Sequence, residues 1–163
     1  MNISVAVNYD YDGDGDEDLY VGSRSVPYSY GVNPQSYIYN NDGQGHFTNV
    51  TEQLNKDIAT AGMITGAVWA DVTGDSQKEL IITGEWMATR IYSYNKKANK
   101  FEEQQNTNLN ELYGWWQTVA TADVNNDGKE DLLLGNIGEN FYLSPDNINP
   151  VKLWINGIAI WMP

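Results

Sequence analysis

The sequence predicts an all-β chain built from repeated four-stranded antiparallel units, and three observations predict it. An acidic, glycine-containing loop occurs three times, opened by Asp10, Asp71 and Asp123, which lie 61 and 52 residues apart, a period typical of repeat architectures. Each loop is flanked by apolar or alternating stretches of strand length, and helical periodicity is weak throughout. Further short runs rich in Tyr, Ile and Thr are separated by Asn- and Gly-containing turns. One unit therefore reads strand, acidic loop, strand, connection, strand, tight turn, strand, which is the blade pattern of a β-propeller.

The first unit covers residues 1–50. Ile3 to Val7 alternates as a half-buried strand, the loop follows at 10–18, and Leu19 to Gly22 is an apolar run ending in glycine. Ser36 to Asn40 then turns through Asn41-Asp42-Gly43-Gln44-Gly45 into His46 to Val50, a glycine-rich hairpin. Residues 51–62 read as a linker, with a turn or two of helix at most between Thr51 and Thr60. The second unit, 63–104, repeats the order: Thr65 to Ala70, loop 71–79, Leu80 to Gly84, Thr89 to Tyr94, a turn at 95–99, and Lys100 to Glu103. A second linker, 105–114, leads to a truncated third unit, 115–163, with Thr118 to Ala122, loop 123–131, Leu132 to Gly135, and a next strand at 150–157. That makes about two and a half to three blades, whereas a closed propeller needs at least four. The expectation is a piece of a longer protein whose exposed blade edges invite self-association.

Charge narrows the function classes. Nine Lys and Arg against 22 Asp and Glu give a net charge of −13 in 163 residues. Nucleic-acid backbones and anionic membrane surfaces both require clustered bases, so neither is an expected partner. The chain has no cysteine and a single histidine, His46, which removes thiolate chemistry, leaves too few imidazoles for a multi-His zinc site and argues against a His-based triad. No apolar run reaches the ~20 residues of a membrane helix. Thirteen of the 22 acids fall inside the three loops, so outside them the chain is nearly neutral.

Within the loops, oxygen-bearing side chains recur at positions 1, 3, 5 and 9: Asp10, Asp12, Asp14 and Asp18; Asp71, Thr73, Asp75 and Glu79; Asp123, Asn125, Asp127 and Asp131. Carboxylates this close repel one another unless a cation intervenes. Ca²⁺ takes six to eight oxygens at ~2.3–2.6 Å, and alternate residues of a tight loop can aim theirs at one point. Position 7 (Asp16, Gln77, Lys129) varies freely if it offers its backbone carbonyl. An EF-hand would need a bidentate Glu at position 12 and flanking helices; here position 12 is Val21, Ile82 or Leu134 and the flanks are strands. Loops one and three have the full series. Loop two is the weaker third site, because Thr73 is uncharged and Ser76 stands where the others have glycine.

The run Asp-x-Asp-Gly-Asp-Gly-x-x-Asp-Leu between two strands resembles the FG-GAP/VCBS repeats of integrin α-subunit propellers and of many bacterial surface and secreted proteins. The hairpin Asn40 to Phe47 is similar to that family's third-to-fourth strand turn. The resemblance implies a Ca²⁺-binding propeller module, extracellular, periplasmic or on the cell surface. It carries the family's metal ligands onto Asp10, Asp12, Asp14, Asp16 and Asp18 and onto the matching positions Asp71, Thr73, Asp75, Gln77, Glu79, Asp123, Asn125, Asp127, Lys129 and Asp131.

In an up-down blade, the acidic loop shares one end of the sheet with the hairpin turn, and the other connections lie at the opposite end. Residues 24–35, with Tyr28 and Tyr30, and also Trp86, Tyr113 and Trp115, are thereby placed away from the loops, where Tyr and Trp can anchor a ligand. The preferred reading of Trp69, Trp86, Trp115, Trp116 and Trp154 is nonetheless that they fill space between blades, since aromatic residues mostly supply core burial. Glu85, Glu111 and Glu139 are the acids from which a glycosidase-like pair would have to come, but they read as unpaired surface acids, His46 as a surface turn residue, and Asp42 as a turn residue lacking a ligand series. The expected function is a non-catalytic calcium-binding scaffold for protein or glycan recognition. The alternatives are an enzyme or accessory module acting on polysaccharide, and a purely structural spacer.

Overall fold

The computed structural model describes residues 2–105 and 107–138. The strand expected at 150–157, Trp154 and Glu139 lie outside them. The first unit is an antiparallel meander: β1 (Asn2–Tyr9), β2 (Asp18–Ser25), β3 (Tyr37–Asn41) and β4 (Phe47–Asn49), paired in that order. A helix, α1 (Thr51–Ala59), follows, and the second unit repeats the meander with β5 (Met63–Ala70), β6 (Glu79–Ala88), β7 (Arg90–Asn95) and β8 (Lys100–Glu103). The third contributes β9 (Tyr113–Ala122) and β10 (Asp131–Asn136). The chain is all-β with antiparallel sheets and blade-like repeats, and no sheet closes on itself among the described residues.

The register explains the hydrophobic patterns. On the first sheet Tyr20 pairs with Ile38, and both side chains are fully buried. They meet Ile64, Leu80, Ile82 and Tyr92 of the second unit in one core that lies between the two sheets. Because side chains alternate across a strand, Ile81 faces the other way, joining Ala70, Ile91 and Val119 in a second core toward the third unit. The unbroken apolar run Leu80 to Ile82 is thus what a sheet covered on both faces requires.

Two features depart from a plain stack of blades. The segment read as a linker carries α1, whose Leu54 and Ile58 are buried in the first core. Asn55 breaks the helix with extended backbone (φ −168°, ψ 111°), and its side-chain amide donates to the Phe101 carbonyl at 2.9 Å. Thr51 anchors the other end: its buried hydroxyl accepts the Ile38 N–H at 2.8 Å. Thr51→Val keeps the shape but strands that N–H, so it is expected to cost about 1–3 kcal/mol, measured as a lowered urea midpoint at unchanged m-value. The second departure is that β9 hydrogen-bonds to the far end of β6, pairing Glu85 with Trp115 and Ala88 with Tyr113 across an irregularity between Glu85 and Met87. The third unit is therefore joined to the second by backbone as well as by packing.

Candidate metal centre

The three acidic loops fold alike because their first aspartates organise them alike. Asp10 accepts the N–H groups of Gly13 (2.6 Å) and Gly15 (3.0 Å). Asp71 accepts those of Gly74 (2.6 Å) and Ser76 (2.8 Å), and Asp123 those of Asp127 (3.1 Å) and Gly128 (2.9 Å). Position 5 repeats the device: Asp14, Asp75 and Asp127 each accept the N–H of position 7, which is Asp16, Gln77 or Lys129. The ninth residue closes each loop by accepting the N–H of position 2: Tyr11 to Asp18, Val72 to Glu79 and Val124 to Asp131. Asn125 accepts the Asp127 N–H at 2.8 Å, as Asp12 accepts that of Asp14 at 3.2 Å.

Wrapping the backbone around these acceptors forces left-handed φ at positions 4 and 6: Gly13 (77°) and Gly15 (100°), Gly74 (81°) and Ser76 (69°), Asn126 (58°) and Gly128 (84°). Asn tolerates that region; Ser does so at a cost. Ser76→Gly is expected to stabilise the protein by about 0.5–1 kcal/mol, the relieved strain less the extra chain entropy of glycine. Differential scanning calorimetry of the pair would read it as a small rise in Tm.

The loops differ in what they bring together. In loop one, ligand atoms of Asp10, Asp12 and Asp18 all lie within 4.8 Å of one another, and no other such group of three acids occurs among the described residues. Two oxygens on one Ca²⁺ at ~2.3–2.6 Å can be at most ~5 Å apart, so this donor set fits the ion. Asp14 and Asp16 stand outside the group; Asp16 lies against Gly43 of the β3–β4 turn. Loop two is closed by its own hydrogen bonds: buried Glu79 accepts the Val72 and Thr73 N–H groups and the hydroxyls of Thr73 and Ser93. Asp71, Thr73, Asp75 and Gln77 flank it without converging on it as a carboxylate triad. Loop three is exposed from Asp123 to Glu130, and Asp131 is half-buried.

Two helpers at loop one have no counterpart in the loop motif. Asn40 donates to Asp12 (3.2 Å) and Asp18 (3.1 Å), and the Asn41 N–H donates to Asp18 at 3.0 Å. Asn40 and Asn41 are visible in the sequence only as hairpin residues. Burial of Asp18, followed by the charges of Asp12 and Asp14, outweighs these hydrogen bonds and pushes its pKa up to about 6. Burial, and then the charges of Asp14 and Asp10, also raises Asp12. At the nearby turn, His46 pairs with Asp42 at 2.9 Å, both exposed, a turn contact rather than a ligand set.

The opposite ends of the strands hold a second constellation. Glu85, expected as an unpaired surface acid, is buried at 2 % exposure. Arg24 donates to it through Nε (3.0 Å) and Nη2, and the Tyr30 hydroxyl donates to its other oxygen at 2.7 Å. Burial alone would raise Glu85, but hydrogen bonds from Tyr30, Trp115 and Arg24, with the Arg24 charge, hold it below the usual range. Trp86 donates from Nε1 to the Tyr30 oxygen at 2.9 Å and packs on Trp115, ring centroids 5.2 Å apart and 30° from parallel. Its φ of 62° lies inside β6, a costly conformation for a bulky residue. Beside this group, a polar recess of about 260 Å³ is lined by Asn2, Ile3, Ser4, Arg24, Thr65 and Gln117. Glu111 is exposed and belongs to neither constellation.

The profile of the FG-GAP-like repeat matches residues 10–82 and again 71–134. Each match begins on the first aspartate of one loop and ends on the strand that follows the next. No curated protein matches the chain. With most of its length covered by two overlapping matches that are framed by its acidic loops, the chain belongs to the FG-GAP-like repeat family.

Proposed function

We propose that this chain is a non-catalytic, calcium-binding β-repeat scaffold for protein or glycan recognition, working outside the cytoplasm. The observation that carries the reading is the convergence of Asp10, Asp12 and Asp18 in a loop whose backbone course recurs twice more. Each ion would neutralise its carboxylates and stiffen a strand-to-strand bend, holding the far ends of the same strands in place for a partner. The repeat family is generally non-catalytic and typical of extracellular proteins, and no helix among the described residues is long and apolar enough to cross a membrane. The enzymatic alternative draws on Glu85, yet a general acid needs a raised pKa, and Arg24, Tyr30 and Trp115 pull this one down. Isothermal calorimetry tests the calcium reading: the chelated protein should release or absorb heat on Ca²⁺ addition with a stoichiometry of two to three. No heat, or a stoichiometry that is the same in Asp10→Ala, would sink it.

A further inference from the structure

Bulges re-aim side chains, and the bulge in β6 re-aims an indole. Trp86 sits where the β6–β9 register slips, with a left-handed backbone that tryptophan does not adopt without compulsion. What is held there is a half-buried ring, stacked on Trp115 and tied down by a chain of hydrogen bonds. Trp86 donates to Tyr30, Tyr30 donates to Glu85, and Glu85 is clamped by Arg24 from another repeat. A ring merely filling space between blades would be buried as Trp69 is, and would need neither the strain nor the network.

The charge of this face selects its ligand. Arg24 and Glu85 cancel each other, so the indole pair sits in a neutral surround at the opposite ends of strands whose other ends hold the acidic loops. A cationic partner would be drawn to those loops, and an anionic one repelled by the net charge of −13. What fits is a neutral, amphipathic ligand with a flat apolar face for the indoles and many hydroxyls for the recess. Arg24 belongs to both parts, and the other recess walls offer the Gln117 amide and, as acceptors, the Ser4 and Thr65 hydroxyl oxygens, whose protons go to the Ile64 and Trp116 carbonyls at 2.5 and 2.8 Å. At about 260 Å³ the recess is below the ~300–1,000 Å³ that encloses a drug-sized molecule, room for one small polar unit of a longer ligand.

We infer that this face binds a neutral carbohydrate chain, with Trp86 and Trp115 as the stacking platform and the adjoining recess as the hydroxyl-binding pocket. The inference rests on the recognition-scaffold reading and names its ligand class. Affinity electrophoresis through gels containing a soluble β-glucan, a galactomannan or a xyloglucan tests it, alongside tryptophan fluorescence and with a proline-rich peptide as the competing ligand. At least one neutral polysaccharide should retard the protein, and Trp86→Asn should weaken that retention at least tenfold. Asparagine tolerates left-handed φ, so this variant removes the ring and keeps the bulge; its Tm should stay close to that of the parent. Gln117→Ala, at the recess, should weaken retention several-fold without touching the indoles. Retention unchanged in both variants, no retention by any of the three polysaccharides, or binding of the peptide alone would overturn the inference. Every gel is run in chelator and in Ca²⁺. A calcium-induced rise in Tm without polysaccharide retention removes the inference and leaves the calcium scaffold standing. Retention without any calcium response supports the inference and removes the calcium scaffold.

Discussion

Truncating Trp69 to alanine is expected to cost about 3–5 kcal/mol, the range for deleting a large buried aromatic, and to lower the unfolding of the first two repeats as one event. Trp69 stands on β5 at 7 % exposure, with the Tyr9 ring of the first repeat 5.2 Å from it and the Phe101 ring of the second 6.0 Å away. Tyr11 extends the aromatic chain by contacting Tyr94 and Phe101. The core is therefore shared between repeats rather than contained in each, as in repeat proteins where interfaces carry the stability. Urea melts followed by circular dichroism should show one transition moved to lower denaturant with its m-value kept. Two separated transitions in the parent protein would mean that the repeats do not depend on this ring. Trp69→Phe should cost much less, since it keeps an aromatic ring and deletes a buried indole N–H that has no partner among the described residues.

Local features were readable from the sequence because local chemistry determines them. Oxygen side chains at positions 1, 3, 5 and 9 with glycine between them dictate a bend with left-handed residues, and Asp10 to Asp18 and Asp123 to Asp131 make it. Alternation in Ile3 to Val7 and the glycine-rich turn after Asn41 dictate a strand and a hairpin for equally local reasons. What could not be read was long-range. Nothing near Arg24 or Glu85 announces that they pair across 61 residues; an isolated glutamate in sequence resembles any surface acid. Trp86 reads as part of the connection after Gly84, because the extension of the strand to Ala88 and the register slip between Glu85 and Met87 belong to its pairing with the distant β9. The role of α1 was hidden similarly: Leu54 and Ile58 are too few to signal a helix, and only the gap beside Ile38 and Phe101 gives them something to cover. Even at loop one, Asn40 and Asn41 gave away the turn but not their grip on Asp18, which depends on how β3 lies against β2.

Calcium at about a hundred times its dissociation constant is expected to stabilise the chelated protein by about 2.7 kcal/mol per occupied site, which for a chain of this size is a rise of roughly 5–10 °C in Tm per site. Asp18 makes the pH dependence of that rise informative, because its protonation acts in opposite directions with and without metal. In the metal-free protein its pKa is raised from 3.8 to about 6. A raised folded-state value means that the native protein binds the proton more tightly than the unfolded chain. The resulting stabilisation is fully present below about 3.8 and is lost as pH rises through about 6. Acidifying the chelated protein from pH 7 toward pH 5 should thus raise the contribution of this group. With Ca²⁺ present the same proton competes for a ligand oxygen, so acidification should lower Tm. The two curves of Tm against pH are expected to converge between pH 7 and 5, and Asp18→Asn should flatten both, since its amide neither titrates nor supplies a charged ligand. If the chelated and calcium-loaded proteins instead melt together at every pH, the carboxylates of loop one are holding only the backbone around them, and their spacing reflects the turn alone.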